Sequence, residues 1–383
     1  MNDPIQLVNS SSAVMTSISW SRLRRGYLFI VLTVACFVLS PTARAVMPAP
    51  DGGYAGGNTA EGEDALFSLT TGTLNTAIGF NALYSTTTGF TNTAIGYHAL
   101  RSNTGGRNNA ASGAQALLSN TTGDNNTANG TGALLYNTTG HDNTATGGGA
   151  LFNNTTGHDN TANGAGALAF NFTGSYNTGT GANAISGSNF ADNNTATGAF
   201  TLNDNVSGSN NVANGYRALS GNRTGDNNVA TGALALSRNT TGSYNMANGS
   251  NAMVYNTTGS NNVAEGLNAL RLNTTGNSNT AVGLSAMLNN TTGTGNIALG
   301  GSAGSSLTTG SYNIDIGNVG VAAESNTIRI GKVGTQQATY VAGISGTTVA
   351  GGVTVVIDDN GHLGTVVSSK RFKEQIKPMD KAQ

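Results

Sequence analysis

Apolar and polar positions along this chain recur with a period of 17 residues between residues 58 and 317. Each period contains a segment of the form Asn-Thr-Ala-x-Gly-x-x-Ala-Leu, in which the glycine is the most regular member. The sixteen repeat glycines are Gly62, Gly79, Gly96, Gly113, Gly130, Gly147, Gly164, Gly181, Gly198, Gly215, Gly232, Gly249, Gly266, Gly283, Gly300 and Gly317. A constant period without insertions predicts a solenoid in which one coil stacks on the next.

A second glycine recurs once per period at a corner that usually has the sequence Thr-Thr-Gly, as at Gly72 and Gly89, with Ala191 in the one exception. Two glycines per period indicate two tight corners, and the segments between them are too short for helices. We therefore predict an all-β fold, a parallel β-solenoid of sixteen coils with two short strands and two turns in each. At about 4.8 Å per coil, the shaft would be roughly 75 Å long.

Columns of equivalent residues indicate which side chains point inward. One column is almost entirely alanine (Ala60, Ala77, Ala94), and another is leucine, isoleucine or methionine (Leu66, Leu83); we expect both to form the core. The threonine after the repeat asparagine is replaced by valine, isoleucine or methionine in later coils, and we expect this column to be at least half buried. The column before the repeat glycine changes from isoleucine to polar residues and back, and this pattern has no explanation in the sequence.

An asparagine precedes each repeat glycine by four residues, in all sixteen coils. Such a column can form a ladder of amide hydrogen bonds along the axis, or each asparagine can shape its own turn. The sequence leaves both alternatives open, and in both the role is structural. The structural positions are represented by Asn75, Gly79, Gly89, Asn92 and Gly96.

Composition restricts the functions to consider. Only 9% of the residues are charged, the net charge is −1 and four histidines are scattered along the chain. Neither nucleic acid nor an anionic membrane surface is expected as a partner. The sequence shows no serine, histidine and aspartate set, phosphate-binding loop or cysteine and histidine cluster, and we expect no cofactor and no metal.

The start of the chain has the pattern of a secretory signal peptide, predicted to span residues 1–45. Three arginines precede an apolar run from Tyr27 to Leu39, and small residues follow at Ala43 and Ala45. We predict cleavage between Ala45 and Val46. Because the apolar run is shorter than the roughly 20 residues that cross a bilayer, we expect no membrane span after signal removal. We expect the mature protein to be secreted or on the cell surface, as part of a bacterial envelope.

The repeats over residues 58–317 resemble the head repeats of trimeric autotransporter adhesins, although the period here is longer than is usual in that family. The resemblance implies a left-handed parallel β-roll, a homotrimer and an adhesive or structural role, with a host glycan or matrix ligand whose identity is unknown. Residues 46–57 would be a linker or cap, and residues 318–350 an irregular β neck.

The last segment resembles a different family. Residues 351–367 predict a hairpin that turns at Asn360-Gly361, and Ser368-Ser369-Lys370-Arg371-Phe372-Lys373 follows. This run resembles the opening of the intramolecular chaperone domain of phage endosialidase tailspikes, a self-cleaving serine peptidase. The resemblance implies trimerisation and cleavage between Val367 and Ser368, with Ser368 as the nucleophile and Lys373 as its base. Only residues 368–383 would belong to that domain, so we expect this polypeptide itself not to cleave.

The sequence also suggests a metal site, an ice-binding surface or a phage tail fibre as alternatives to adhesion. His141-Asp142 and His158-Asp159 stand 17 residues apart and could stack, but a solvated face is the simpler interpretation because structural metal sites need four ligands. An ice-binding solenoid would need a flat threonine face, and the Thr-Thr-Gly corner offers a single outward file, with Thr122 and Thr139 as examples. A prophage tail fibre fits the C-terminal motif, but such a fibre needs no signal peptide.

Overall fold

In a computed structural model of the protein, residues 54–187, 189–343 and 349–365 are described. These residues form an all-β protein in which no helix occurs within the described ranges. Seventeen strands of three residues each run parallel in a single sheet, every strand pairing with the next along the chain. The strands are β1 (Thr59–Glu61), β2 (Thr76–Ile78), β3 (Thr93–Ile95), β4 (Ala110–Ser112), β5 (Thr127–Asn129), β6 (Thr144–Thr146), β7 (Thr161–Asn163), β8 (Thr178–Thr180), β9 (Thr195–Thr197), β10 (Val212–Asn214), β11 (Val229–Thr231), β12 (Met246–Asn248), β13 (Val263–Glu265), β14 (Thr280–Val282), β15 (Ile297–Leu299), β16 (Ile314–Ile316) and β17 (Ile328–Ile330).

The register of this sheet follows the sequence period. Ala77 is opposite Ala94, and Ala94 is opposite Ala111, so that equivalent residues of successive coils lie over one another. The 17-residue step holds from β1 to β16, and the final step from β16 to β17 is shorter, at 14 residues. The predicted β-solenoid is therefore confirmed, with about sixteen coils of 17 residues.

Two apolar columns fill the interior of the coil, as expected. The central alanine of nearly every strand is buried, and the leucine, isoleucine and methionine column beyond the repeat glycine is fully buried from Leu83 to Met287. Alanine is small enough for the strand to approach the opposite wall, while leucine fills the remaining space. Burial of one leucine side chain contributes about 2 kcal/mol, and the repetition multiplies this contribution along the shaft.

The prediction of two strands per coil was wrong, because each coil contains one. The segment with the core leucine consists of turns in which non-glycine residues adopt a left-handed conformation, for example Asn81 (φ 55°) and Leu83 (φ 51°). Its hydrogen bonds still run from coil to coil, as from the Leu83 N–H to the Ala99 carbonyl at 3.1 Å. The second wall is therefore hydrogen-bonded like a sheet without being β-structure.

Two asparagine ladders run along the axis in the coil interior. In the predicted column, the Asn92 side-chain NH₂ group donates to Asn75 Oδ1 at 3.1 Å, and the Asn92 backbone N–H donates to the same oxygen at 3.0 Å. The amide also donates to the carbonyl of a corner glycine, Gly106, at 2.8 Å. The structure therefore contains the ladder, and each amide also fixes a corner. A second buried ladder begins at Asn103, where Asn120 Nδ2 donates to Asn103 Oδ1 at 2.9 Å.

The two glycine columns are required for different reasons. Gly79 has a φ of 126°, and a Cβ atom there would lie 2.7 Å from the Gly96 carbonyl oxygen. Gly89 has an ordinary backbone conformation, but a Cβ atom would lie 2.6 Å from the carbonyl oxygen of Gly106. The first column therefore needs glycine for both its conformation and its contacts, whereas the second needs it for close coil stacking alone.

The C-terminal coil differs from the others in its interior. Asp315 occupies the central strand position where most other coils have alanine, and its fully buried carboxylate has no hydrogen-bond partner. Burial, with a smaller effect from Glu324, raises the pKa of Asp315 to about 6. Glu324 itself forms an ion pair with Arg329 at 2.7 Å, and the hydrogen bond from Arg329 lowers the pKa of Glu324.

A separate antiparallel hairpin follows this coil, with strands β18 (Val355–Ile357) and β19 (Leu363–Thr365). It flanks the Asn360-Gly361 turn, in which Asp358 accepts hydrogen bonds from the backbone N–H groups of Asn360 and His362.

Candidate interaction surface

The outer side of the long parallel sheet carries two ranks of exposed side chains. In almost every strand the central residue is buried and its two neighbours point outward, as in β3, where Ala94 separates Thr93 from Ile95. We call this surface the strand face; its first rank contains the first residue of each strand, and its second rank contains the third. Alternation of side chains along an extended backbone produces this arrangement.

The strand face corrects one expectation and explains the unassigned column. The threonine and valine column, expected to be at least half buried, is the first rank and is mostly exposed, with Val212 42% and Met246 50% accessible. The column before the repeat glycine, whose residues had no explanation, is the second rank. The sequence signal that could have identified both ranks as outward was the alanine that recurs between them in almost every coil, because neighbouring residues of a strand point to opposite sides.

The strand face is most apolar near its two ends, although the first strand, β1, presents Thr59 and Glu61 outward. Near the N-terminal end, Ile78 and Ile95 are 37% and 43% exposed. At the other end, isoleucine or leucine fills both ranks of β15 and β16, and Ile328 and Ile330 of β17 are 67% and 71% exposed. Large aliphatic side chains aligned in exposed files are a feature of interaction surfaces.

The middle of the strand face is hydroxyl-rich instead. Strands β6, β8 and β9 have threonine in both ranks, and β5 and β7 pair threonine with asparagine. Along the axis these side chains repeat at about 4.8 Å, and across the strand they are roughly 6.6 Å apart. The face thus has a regular grid of hydroxyl and methyl groups between two apolar ends.

Aromatic rings extend the N-terminal apolar end around the edge of the coil. Phe80 and Tyr97 follow the strand face by two residues, stack with their centroids 5.7 Å apart and are 39% and 50% exposed. Tyr97 also stacks on His98 at 3.8 Å. Burial, and to a lesser extent the nearby Arg101, lowers the pKa of His98. Ile78, Phe80, Ile95 and Tyr97 therefore form an exposed apolar patch on neighbouring coils.

The Thr-Thr-Gly corner has one exposed file, as expected. The second threonine of each corner, such as Thr122 or Thr139, is exposed. The first threonine is a structural residue, because its hydroxyl donates to the equivalent carbonyl one coil further on, as from Thr121 to Thr138 at 3.0 Å. The two-rank threonine surface lies on the strand face, away from this corner.

The two histidine coils do stack. The rings of His141 and His158 are parallel with centroids 4.8 Å apart. Each Nδ1 atom lies near a carboxylate oxygen of the following aspartate, Asp142 at 2.8 Å and Asp159 at 3.0 Å. Within the described ranges, no group of three or more histidine, cysteine, aspartate or glutamate residues is arranged to hold a metal ion.

The remaining predicted sites fall outside the described residues. These are the signal cleavage position at Ala45 and Val46, and the autoproteolytic positions Val367, Ser368 and Lys373. In the described part of the chain, no helix is both long and apolar enough to cross a bilayer.

Comparisons with known proteins identify no relative of this chain. No protein-family model, no curated protein and no solved structure matches it.

Proposed function

We propose that this protein is a secreted structural or adhesive fibre that works as a homotrimer, with the strand face as the contact between its copies. The observation that supports this most directly is the pair of exposed isoleucine and leucine files near the two ends of a long parallel sheet. Neither enclosed catalytic chemistry nor a cofactor is part of the proposal. The function comes from the rigid repeated surface.

The dimensions of the strand face suit an interface between copies. Sixteen strands at about 4.8 Å give a length of roughly 75 Å, and three residues give a width of about 10 Å. The resulting area of about 750 Å² is close to the ~800 Å² that one partner buries in a stable two-chain complex, and in a trimer each chain divides it between two neighbours. Identical chains in parallel alignment would place apolar ends against apolar ends, and the threonine ranks against one another.

Light scattering after size exclusion of the purified protein tests the assembly. The mass expected is three times that of one mature chain at micromolar concentration. A mass of one chain that persists at the highest soluble concentration would contradict the proposal. Fractionation of the native host, with the mature N-terminus determined by mass spectrometry, tests export: a start at Val46 supports secretion, and retention of residues 1–45 contradicts it.

The chaperone resemblance assigns Val367-Ser368 as the bond that the resembled family cleaves, with Ser368 as the nucleophile and Lys373 as its base, but cleavage is not part of the fibre proposal. Intact-mass measurement of the expressed chain should show the uncleaved protein. A product ending at Val367 that Ser368→Ala or Lys373→Ala abolishes would contradict this expectation, and the fibre proposal would stand in either case.

Ice binding is a second candidate because the strand face has two ranks of threonine, whereas the Thr-Thr-Gly corner has a single file. Strands β5 to β9 present two regular ranks rich in threonine on one side of the sheet. Thermal hysteresis of the purified protein tests this candidate directly. Hysteresis that disappears in Thr144→Lys with Thr178→Lys, and survives Thr122→Lys at the corner, would favour ice binding over adhesion.

A further inference from the structure

Arginines are concentrated in one part of the shaft. Residues 54–317 contain six arginines and no lysine, and four of the six lie between residues 217 and 271. None of these four forms an ion pair in the described structure, whereas Arg107 pairs with Asp124 at 3.0 Å. In a chain with so few charges, a cluster of unpaired guanidinium groups on neighbouring coils is a distinct feature.

Three of these arginines surround a groove in the wall opposite the strand face. The groove has a volume of about 410 Å³, and its lining includes Arg217, Arg238, Arg271 and Tyr255. A second depression of about 410 Å³ adjoins it, shares Asp204 and Gly221 with it and contains Arg223. These volumes are in the range of small-molecule sites.

Aromatic rings hold the arginines in place. The guanidinium of Arg238 lies 4.5 Å from the centroid of Tyr255, and that of Arg271 lies 5.9 Å from the same ring. Arg217 is similarly placed 5.8 Å from Tyr216. Stacking on an aromatic face leaves the in-plane N–H groups of a guanidinium available for an anion.

One of these donors has no partner in the protein. Arg271 Nε is buried and forms no hydrogen bond. A buried donor without a partner costs free energy unless a ligand satisfies it, and this atom belongs to a side chain that lines the groove.

The floor of the groove is glycine for a structural reason. At Gly221, a Cβ atom would lie 2.8 Å from the backbone carbonyl oxygen of Ser237. The equivalent positions in the next two coils are Arg238 and Tyr255. The missing side chain therefore leaves a depression immediately beside the arginine and its aromatic support.

We propose that this groove binds an acidic saccharide, through a carboxylate or sulfate group held by Arg238 and Arg271. Guanidinium groups form paired hydrogen bonds with such anions. Ser220, Ser237 and Asn251 also line the groove and offer hydrogen bonds to sugar hydroxyl groups. Asp204, at the far end, contributes the one opposing charge and favours ligands whose anion lies at the arginine end.

The restricted length of the cluster favours a short anion over a nucleic acid. Affinity for nucleic acid grows with the number of phosphates neutralised, and here the arginines occupy only a few coils of the shaft. The inference rests on the proposed adhesive function and names the ligand class for it.

Calorimetric titration of the full chain tests the site. The probes are a galacturonic acid tetramer, a heparin-derived hexasaccharide, neutral maltotetraose and a 12-nucleotide single-stranded DNA. We expect at least one acidic saccharide to bind, with an affinity that falls as salt is raised, and maltotetraose not to bind. Equal binding of the neutral sugar, tighter binding of DNA, or no binding by either acidic saccharide overturns the proposal.

Variants locate the binding. Arg238→Gln with Arg271→Gln should reduce affinity about tenfold or more, since charged hydrogen bonds are lost, and Tyr255→Leu should reduce it less. Arg101→Gln is the matched control, because Arg101 lies in the same column as Arg271 and over a tyrosine, Tyr84 at 5.7 Å. An equal loss in Arg101→Gln would contradict the site.

The test of saccharide binding can be separated from the test of the trimer. Light scattering on the same samples reports the trimer, so acidic-saccharide binding by a monomer would keep the groove and reject the trimer. A trimer that binds none of the saccharides would support the trimer and reject the groove as a binding site.

Discussion

Asparagine amides form a regular hydrogen-bonded column inside the coils. Asn143 donates two side-chain hydrogen bonds, to Asn126 Oδ1 and the Gly157 carbonyl, at 3.1 and 2.9 Å. Its own oxygen accepts from the backbone and side chain of Asn160, at 3.1 and 3.0 Å. Because the donors and the acceptor are all used, a buried polar column is compatible with a thin, alanine-rich interior.

Replacing one ladder amide should destabilise the shaft locally. In Asn143→Ser, the backbone N–H and side-chain NH₂ groups of Asn160 lose Asn143 Oδ1 as their acceptor. We expect the free energy of unfolding to fall by about 1–3 kcal/mol. Chemical denaturation followed by circular dichroism measures the change. Asn129→Ser is the control, because Asn129 is exposed in the second rank and serine occurs at the same position one coil earlier. Equal loss in both variants would show that the ladder is not the cause.

Asp315 should make the stability of the last coil depend on pH. Its pKa is raised to about 6 in the folded protein, so the folded state holds the proton more tightly than the unfolded state. The stabilisation by the protonated form is complete below about pH 4 and is lost as the pH rises through about 6.

Asp315→Ala places in β16 the residue found at this position in most coils. At pH 7 we expect it to raise the free energy of unfolding by about 1–3 kcal/mol, with a smaller gain at pH 4. The difference between the two proteins, measured across this range by denaturation, isolates Asp315 from other titrating groups. Parallel pH profiles would mean that the buried carboxylate stays ionised without cost.

At the scale of the coil, the repeat glycine sets how closely neighbours can stack. Gly96 has a φ of 136°, and a Cβ atom would lie 2.6 Å from the Gly113 carbonyl oxygen. Gly96→Ala should therefore cost about 2 kcal/mol or more, from backbone strain and displacement of the next coil. Thermal unfolding checks this, with Gly105→Ala as the control, because a Cβ atom at Gly105 meets only Thr88 Oγ1 at 3.6 Å. Similar midpoints for the two variants would contradict the stacking argument.

The 17-residue period was enough to predict the stacking of the coils and the buried columns, but not the backbone conformation within each coil. The alanine and leucine columns could be assigned from residue type, because only small or apolar residues occur there. The second wall was mistaken for a strand since Leu83 adopts a left-handed φ of 51°, which leucine rarely does in isolation. Contacts of the leucine side chain within the coil stabilise that conformation, and residue preferences do not record such contacts.

The candidate surfaces were less predictable than the core. The strand face required knowing that Thr93 and Ile95 lie on the same side of a strand, opposite Ala94. In the arginine groove, Tyr255 lies one coil beyond Arg238 in the same column, and Arg271 lies in the neighbouring column, so the period alone could have placed these three residues together. The period does not show that Arg217 and Asn251, from a column three residues earlier than that of Arg271, line the same groove.

For the whole molecule, each coil contacts mainly its neighbours, so stability increases with the number of coils. The lateral association of shafts is a separate interaction that depends on the strand face. A shaft with exposed isoleucine files at both ends would gain most from partner chains at those ends, where apolar area is largest.

Ile78→Lys with Ile95→Lys tests that association. Both side chains are exposed, so the coil should keep its own fold, while two buried charges per chain would oppose contact between copies. We expect the dissociation constant of the assembly to rise by a factor of ten or more, measured by sedimentation equilibrium, with an unchanged circular dichroism spectrum. Thr122→Lys with Thr139→Lys adds the same charges to the corner file and should leave the assembly intact. If the corner substitutions dissociate the protein and the strand-face substitutions do not, the copies meet at the corner, and the strand face is free for another partner.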